Sequence, residues 1–265
     1  MKLSICTTMT DPDSRNDPWV EAMKCYEELA DEVIVTGSDW GFDFSWEEIG
    51  QFFQEGFDKC SGDWVIRMDL DYFFRKSDFQ KIKKFLIDNE DSPAVAFPQY
   101  QIFTPDRYQL KTKLCIALNK KNFPNIKLNG GGDLCQPTLN GNQILHHEVP
   151  NLKVPVFQYD SIFRTKEIIS SDRARFARAW NQYFKNYGTR GGPTEKEAFD
   201  AWFKMIEDRF KFHVHKLNIN EHPEFIKDKL LSLTPDQFGY DVFGLKNNTK
   251  RSFFHYFTAY KQKYI

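Results

Sequence analysis

The order of elements in the first seventy residues constrains this chain more than any other feature. "KLSICTT" (2–8), "DEVIVTGSD" (31–39) and "WVIRMD" (64–69) each begin as a short apolar run and leave through polar residues. Between them, Trp19, Met23, Tyr26 and Ala30 recur at three- or four-residue intervals, and Trp46, Ile49, Phe53 and Phe57 do the same. That spacing gives a helix one buried stripe, whereas the apolar runs have the length of strands buried on both faces. Strand, helix, strand, helix, strand predicts parallel strands covered by helices, an α/β fold. In "TDPDSRNDP", Asp17 is expected to cap the first helix and Pro18 to open its first turn. "CSGD" stops the second helix.

Ligands of open α/β sheets bind beyond the carboxyl ends of the strands. Thr7, Thr8, Asp39 and the acid pair Asp69 and Asp71 all fall at such ends. Two carboxylates at i and i+2 on a turning backbone can hold one hard cation through oxygen, or divide between a cation and a hydroxyl.

Farther along, "SDFQKIKKFLIDNE" reads as a helix, and "AVAFPQYQIF" and "KLCIALN" as strands. "NIKLNGGGDLCQPTLNGNQILHHEVP" is a long loop-rich stretch of the kind that tends to be functional. "SDRARFARAWNQYFKNYG" (171–188) predicts a helix, "TRGGPT" breaks the chain, and three further helical stretches form a tail. In that tail, Phe253, Phe254, Tyr256, Phe257 and Tyr260 are expected to pack the last helix, and His213 and His215 to be structural.

Composition removes several function classes. Lys plus Arg number 36 and Asp plus Glu 37, so no global field draws in nucleic acid or an anionic membrane, and partners must be recognised locally. Cys6, Cys25, Cys60, Cys115 and Cys135 are scattered without a CxxC pair, which argues for reduced cytoplasmic thiols over a disulfide framework or a zinc site. No apolar stretch has signal-peptide or membrane-span length, so a soluble chain is expected, with any peripheral docking surface not displayed by the sequence. The motifs GxGxxG and GxxxxGK[ST] are absent, against dinucleotide oxidoreductases and P-loop enzymes.

"LSICTTMTD", "DEVIVTGSD", "WEEIGQFFQEGFDKCSGDW" and "VIRMDLD", in that order, resemble the nucleotide-binding half of a GT-A glycosyltransferase, similar to family 2 enzymes. The resemblance covers residues 1–75 and, more loosely, continues to 185. It implies a GT-A fold, a Rossmann-like mixed sheet flanked by helices, over residues 1–187, with a nucleotide-sugar half (1–110) and an acceptor half (111–187). Residues 188–265 would form a helical carboxyl-terminal extension. The implied reaction moves a hexose-type sugar from a UDP-, GDP- or dTDP-linked donor to a glycan hydroxyl, with Mn²⁺ or Mg²⁺ and inversion at the anomeric carbon.

Residue by residue, Thr7 and Thr8 match the positions that cradle nucleobase and ribose, and Asp39 the acid that binds the base. Asp69 matches the first acid of the DXD motif, near ribose and metal, and Asp71 the metal-binding acid. Arg15 and Arg67 are candidates for the diphosphate, Arg67 equally for an internal ion pair. Glu148 in "LHHEVP" or Asp133 in "GGGDL" would be the base. Many relatives complete the metal shell with a histidine near "VPVFQYDSIFR"; here Asp160 stands as the oxygen ligand instead, with His146 and His147 as alternatives.

Two rivals share these residues. A haloacid-dehalogenase-type phosphatase also ends a strand with a DxD pair, usually the first strand and with Thr or Val where this chain has Phe73. A GT-A domain that binds glycan without turnover is the other. A nucleotidyltransferase would need a glycine-rich basic loop after strand one, which "TTMTDPDSRND" does not supply.

Overall fold

The computed structural model describes residues 1–38, 43–128 and 136–262. Asp39, Asp133 and Cys135 therefore lie outside the described residues.

The elements run β1 (Leu3–Thr8), α1 (Trp19–Leu29), β2 (Glu32–Thr36), α2 (Trp46–Lys59), β3 (Trp64–Met68), β4 (Tyr72–Phe73) and α3 (Phe79–Asp88). They continue with β5 (Ala94–Thr104), β6 (Arg107–Asn119), β7 (Thr138–Leu139), β8 (Asn142–Gln143), β9 (Val156–Gln158), α4 (Lys166–Phe184) and α5 (Glu195–Phe210). Last come β10 (His215–Lys216), α6 (Lys227–Leu231), α7 (Phe238–Asp241), α8 (Leu245–Asn248) and α9 (Phe253–Gln262). The fold is α/β, a mixed sheet in the order β2-β1-β3-β6-β5-β9-β4 flanked by helices, with β10 added beside β6.

The opening alternation folds as its pattern predicts. β1 pairs in parallel with β2 and with β3. Leu3 and Ile5 of β1, with Trp64, Ile66 and Met68 of β3, pack on α1 and α3. The intervening Cys6 and Val65 face the other way, onto Trp46, Ile49, Phe53 and Phe57 of α2. Period-two alternation thus feeds two cores even where every residue of β3 is buried. A reciprocal capping box starts α2, with Ser45 accepting from the Glu48 amide and Glu48 accepting from the Ser45 amide.

Three boundaries differ from expectation. Pro18 stands before α1 rather than inside it, and no side chain caps that helix. Asp17 is taken instead by two guanidiniums, at 2.5 Å from Arg164 and 3.3 Å from Arg15, because charge-assisted bonds outcompete a backbone amide. α4 begins five residues earlier than its periodicity suggests, where the Thr165 hydroxyl accepts from the Ile168 amide, and it ends at Lys185 in the left-handed region. β6 starts at Arg107 rather than Lys113, forming a long bulged hairpin with β5.

The carboxyl-terminal stretch is laced to the sheet. β10 pairs with β6, the Phe238 amide donates to the Arg164 carbonyl, and the Gly239 amide donates to the Ile162 carbonyl at 2.8 Å. Only glycine permits that approach: a Cβ at 239 would lie 2.0 Å from Ile162 Cγ1. Phe103 of β5 packs in one cluster with Phe199, Trp202, Phe210 and Phe238.

Buried histidines support the same region. His222 bridges Tyr159 and the Pro105 carbonyl, both at 2.8 Å. A carbonyl can only accept, so Nε2 carries the proton and Nδ1 accepts from the tyrosine hydroxyl. Burial, assisted by Arg75 and Lys227, pushes this imidazole down to about 4. His213, stacked on Phe103 at 4.2 Å, is pushed down by burial as well, and His215 lies buried against Tyr108, so the structural reading of both holds.

A folded-state pKa below the unfolded value of 6.5 contributes stability that is complete above pH 6.5 and is lost as pH falls toward 4. Urea unfolding between those limits should show a loss of up to about 3 kcal/mol from His222. In His222→Gln the pH slope should flatten; an unchanged slope would show that this imidazole is not held neutral.

Candidate functional site

At the end of β3 the chain makes a tight turn, with the Tyr72 amide donating to the Asp69 carbonyl at 2.8 Å. Tyr26, fully buried on α1, sets its hydroxyl 2.6 Å from the same carbonyl and 3.0 Å from that of Tyr72. The turn is thus clamped from the core, and Asp69 and Asp71 sit at its first and third positions. β4 then pairs antiparallel with β9, opposing Tyr72 to Gln158 and Phe73 to Phe157. One bond past that ladder, the Tyr159 amide donates to the Asp71 carbonyl at 2.9 Å. Asp160 follows directly.

Asp160 adopts φ +24, a region that L side chains seldom occupy. Its carboxylate accepts from the Ser161 hydroxyl at 3.0 Å and the Gln101 amide at 3.4 Å, which hold the strained turn. Burial raises the Asp71 carboxyl well above the usual carboxylate range, and the charges of Asp69 and Asp160 raise it further. Arg67 is the near counter-charge, 3.2 Å from both oxygens of Asp69 and stacked over Phe53 at 4.9 Å. Of its two expected roles, the structure shows the ion pair.

These acids line a cleft of about 1360 Å³ together with Thr8, Arg15, Arg67 and Asp160. Thr7 lies beneath the surface, fully buried between β2 and β3, with its hydroxyl unpartnered among the described residues. Trp46, Ile49 and Phe53 of α2 form one wall, β6 contributes residues such as Lys111 and Cys115, and α5 contributes Trp202, Lys204 and Arg209. Of the candidate residues His146, His147 and Glu148, it is His146 that lines the cleft. Glu148 is exposed outside the lining, its carboxylate 3.4 Å from the Leu145 amide, although its charge joins burial in pushing the Cys115 thiol up to about 12.

The sequence reading missed an ion network beside the acids. Arg164 bonds Asp17 at 2.5 Å and Asp172 at 3.1 Å; Arg15 reaches Asp17 at 3.3 Å and Asp172 at 3.6 Å. Arg173 lies 3.9 Å from both Asp172 and Asp160, joining the network to the acid cluster. Burial opposes the Asp172 charge, yet Arg15, Arg164 and Arg173 hold its carboxyl far below the usual range. Three arginines against two aspartates leave positive charge on this side, and all five residues line the cleft. The available signal was Asp172 itself, an acid on the buried side of α4 among Ile169, Ala174 and Ala177.

The donor set suits a hard cation. Asp69, Asp71 and Asp160 offer only carboxylate oxygen, and Asp71 accepts no side-chain hydrogen bond from the described residues while facing two like charges, a conflict that a cation relieves. Among the described residues no three His, Cys, Asp or Glu side chains already converge at ligating distance. The fit is therefore to two carboxylates, those of Asp69 and Asp71.

No protein-family model and no curated protein match this chain. Among solved structures it is similar to S. aureus TarS residues 1–349, at 12% identity and a TM-score of 0.38 over 81% of each chain, and to the same protein in complex with UDP and with UDP-GlcNAc. Full TarS matches at 13% identity and a TM-score of 0.37, over 87% of this chain and 50% of that one.

Removing Arg164 tests the network. Arg164→Leu leaves Asp17 and Asp172 buried together and should cost about 3 kcal/mol or more at neutral pH. The deficit should shrink as pH falls below the usual carboxylate range and Asp172 takes up a proton. Urea midpoints at several pH values would show this; a pH-independent deficit would mean that lost packing, not charge, is responsible.

Proposed function

We propose that the protein is a glycosyltransferase that moves a sugar from a nucleotide diphosphate donor to a glycan hydroxyl, with inversion. The observation that supports this best is the union of Asp69, Asp71 and Asp160 in one cleft with the end of β1 and an arginine-rich wall. Nucleoside, diphosphate and sugar require those three environments side by side: a strand-end floor, positive charge, and a cation-binding acid pair.

In this reading Thr8, with Thr7 beneath it, and Asp39 hold the nucleoside. Asp69 and Asp71 would hold Mn²⁺ or Mg²⁺, with Asp160 close by as a further oxygen. Bound there, the ion supplies Lewis acidity that offsets charge on the departing diphosphate. Arg15 and Arg173, each about a quarter exposed, offer guanidinium N–H groups to the same oxygens, while Arg164 positions them through Asp17 and Asp172. The acceptor hydroxyl needs a base as the glycosidic carbon gains positive character. We assign it to the 133–148 stretch: Asp133 and Glu148 from the sequence resemblance, and His146 from its place in the cleft, with Nδ1 unpartnered among the described residues.

Thermal-shift measurements with nucleotide diphosphate sugars, with and without Mn²⁺, test this reading, since a ligand that binds only the folded state raises the melting temperature. One diphosphonucleoside class should stabilise the protein more with the ion than without it. Stabilisation by phosphate mimics alone would instead favour the phosphatase. Asp71→Ala should retain the fold and lose roughly a hundredfold or more in sugar transfer; full transfer by a folded variant would remove Asp71 from the site. Donor binding with no transfer or hydrolysis by the wild type would favour the non-catalytic domain.

A further inference from the structure

Helix α9 turns outward the residues that helices normally bury. Phe253 is 84% exposed, Phe254 63%, Phe257 59%, Tyr260 47% and Tyr256 43%, whereas Ala259 is fully buried. The expectation that these aromatics pack the last helix thus fails for Phe253, Tyr256 and Phe257. The helix is seated by Ala259, whose carbonyl lies 3.3 Å from His215 Nε2, by Tyr260 edge-on to His215 at 4.9 Å, and by His255 against Phe212 at 5.1 Å. Residues 253, 257 and 260 follow one another along one side, with 256 beside them, so the rings form a connected surface. Burying a single Phe is worth about 1.5–3 kcal/mol, and here several are left wet.

The charge carried by this segment has one sign. From Val242 onward the sequence contains Lys246, Lys250, Arg251, Lys261 and Lys263 and no acid. Lys246 is paired with Asp106 at 3.3 Å, and Arg251 donates to the Phe210 carbonyl at 3.0 Å. Lys250, just before the helix, and Lys261, in its last turn, are exposed. Phe212, which touches Phe254 edge-on at 6.5 Å, also lines the cleft, so the aromatic surface adjoins the cleft mouth near Lys204, Arg209 and Asp208, the last paired with Lys211 at 2.8 Å.

We propose that α9 docks this protein on an anionic lipid bilayer, with Phe253, Phe254 and Phe257 in the headgroup boundary and Lys250 and Lys261 on lipid phosphates. Aromatic rings beside exposed lysines, without acids, match a surface that is apolar beneath and negative above. A second copy of the same face would bring lysines against lysines with no acid in this segment to receive them. The ten residues of α9 span about 15 Å, half the thickness of a hydrocarbon core. Among the described residues no helix is long and apolar enough to cross a membrane, so the helix lies on the bilayer. Docked in this way, the cleft mouth opens close to the lipid surface.

Co-sedimentation of the full chain with vesicles of phosphatidylcholine, with and without phosphatidylglycerol, tests the proposal without any nucleotide sugar. The protein should pellet with the anionic vesicles, stay largely in solution with the neutral ones, and be released by salt. Phe253→Ser with Phe257→Ser, and separately Lys250→Glu with Lys261→Glu, should each weaken partitioning roughly tenfold or more. Because these side chains are exposed, melting temperature and near-UV circular dichroism should not change. Equal binding to neutral vesicles, no binding to anionic ones, or undiminished binding by the folded variants would overturn the proposal. So would a dimer that the Phe253→Ser, Phe257→Ser variant abolishes in the absence of vesicle binding, since a second copy would then be the occupant.

Discussion

The cleft depends on a short antiparallel ladder. β4 and β9 pair over two residues each, and the next bond, from the Tyr159 amide to the Asp71 carbonyl, ties the acid turn to the turn that carries Asp160. Buried backbone groups have no water to accept in exchange, so this register is costly to lose. A slip by one residue would send successive side chains to the opposite face and break up the acid cluster. Tyr26 holds the same turn from the core side, which makes the geometry of Asp69 and Asp71 a property of two packed elements rather than of a free loop.

Electrostatics near the ladder are arranged as opposed halves. Asp71, half-buried beside Asp69 and Asp160, resists ionisation. A few side chains away, Asp172 is more deeply buried but remains charged, because Arg15 and Arg164 are turned onto it. The difference is the company each carboxylate keeps, since burial alone acts on both in the same direction. The first environment gathers like charges; the second surrounds a carboxylate with guanidiniums.

The histidines are divided in a related way. His213, His215 and His222 are buried in the packing that joins the carboxyl-terminal stretch to β5 and β6, whereas His146 reaches the cleft. A pair at i and i+2, such as His213 and His215, has the look of a ligand motif in sequence, but Phe103 and Tyr108 take up the two rings as stacking partners.

Local pattern alone determined the opening β-α-β-α-β order, the buried stripe of α2 and the placing of Asp69 and Asp71 at a strand end, because helical and strand periodicities depend on neighbours along the chain. Other features needed contacts between distant segments. Asp17 had the look of a helix cap until Arg164 claimed it, and Asp172 is ordinary on a helix until α4 is laid against the cleft. Asp160 meets Asp71 only because β9 crosses to β4. The exposure of Phe253 and Phe257 was equally illegible, since an aromatic stripe reads the same whether or not the fold provides a core for it to enter. Strand order, ion pairing and burial are decided by which surfaces meet in three dimensions, and no window of sequence contains that information.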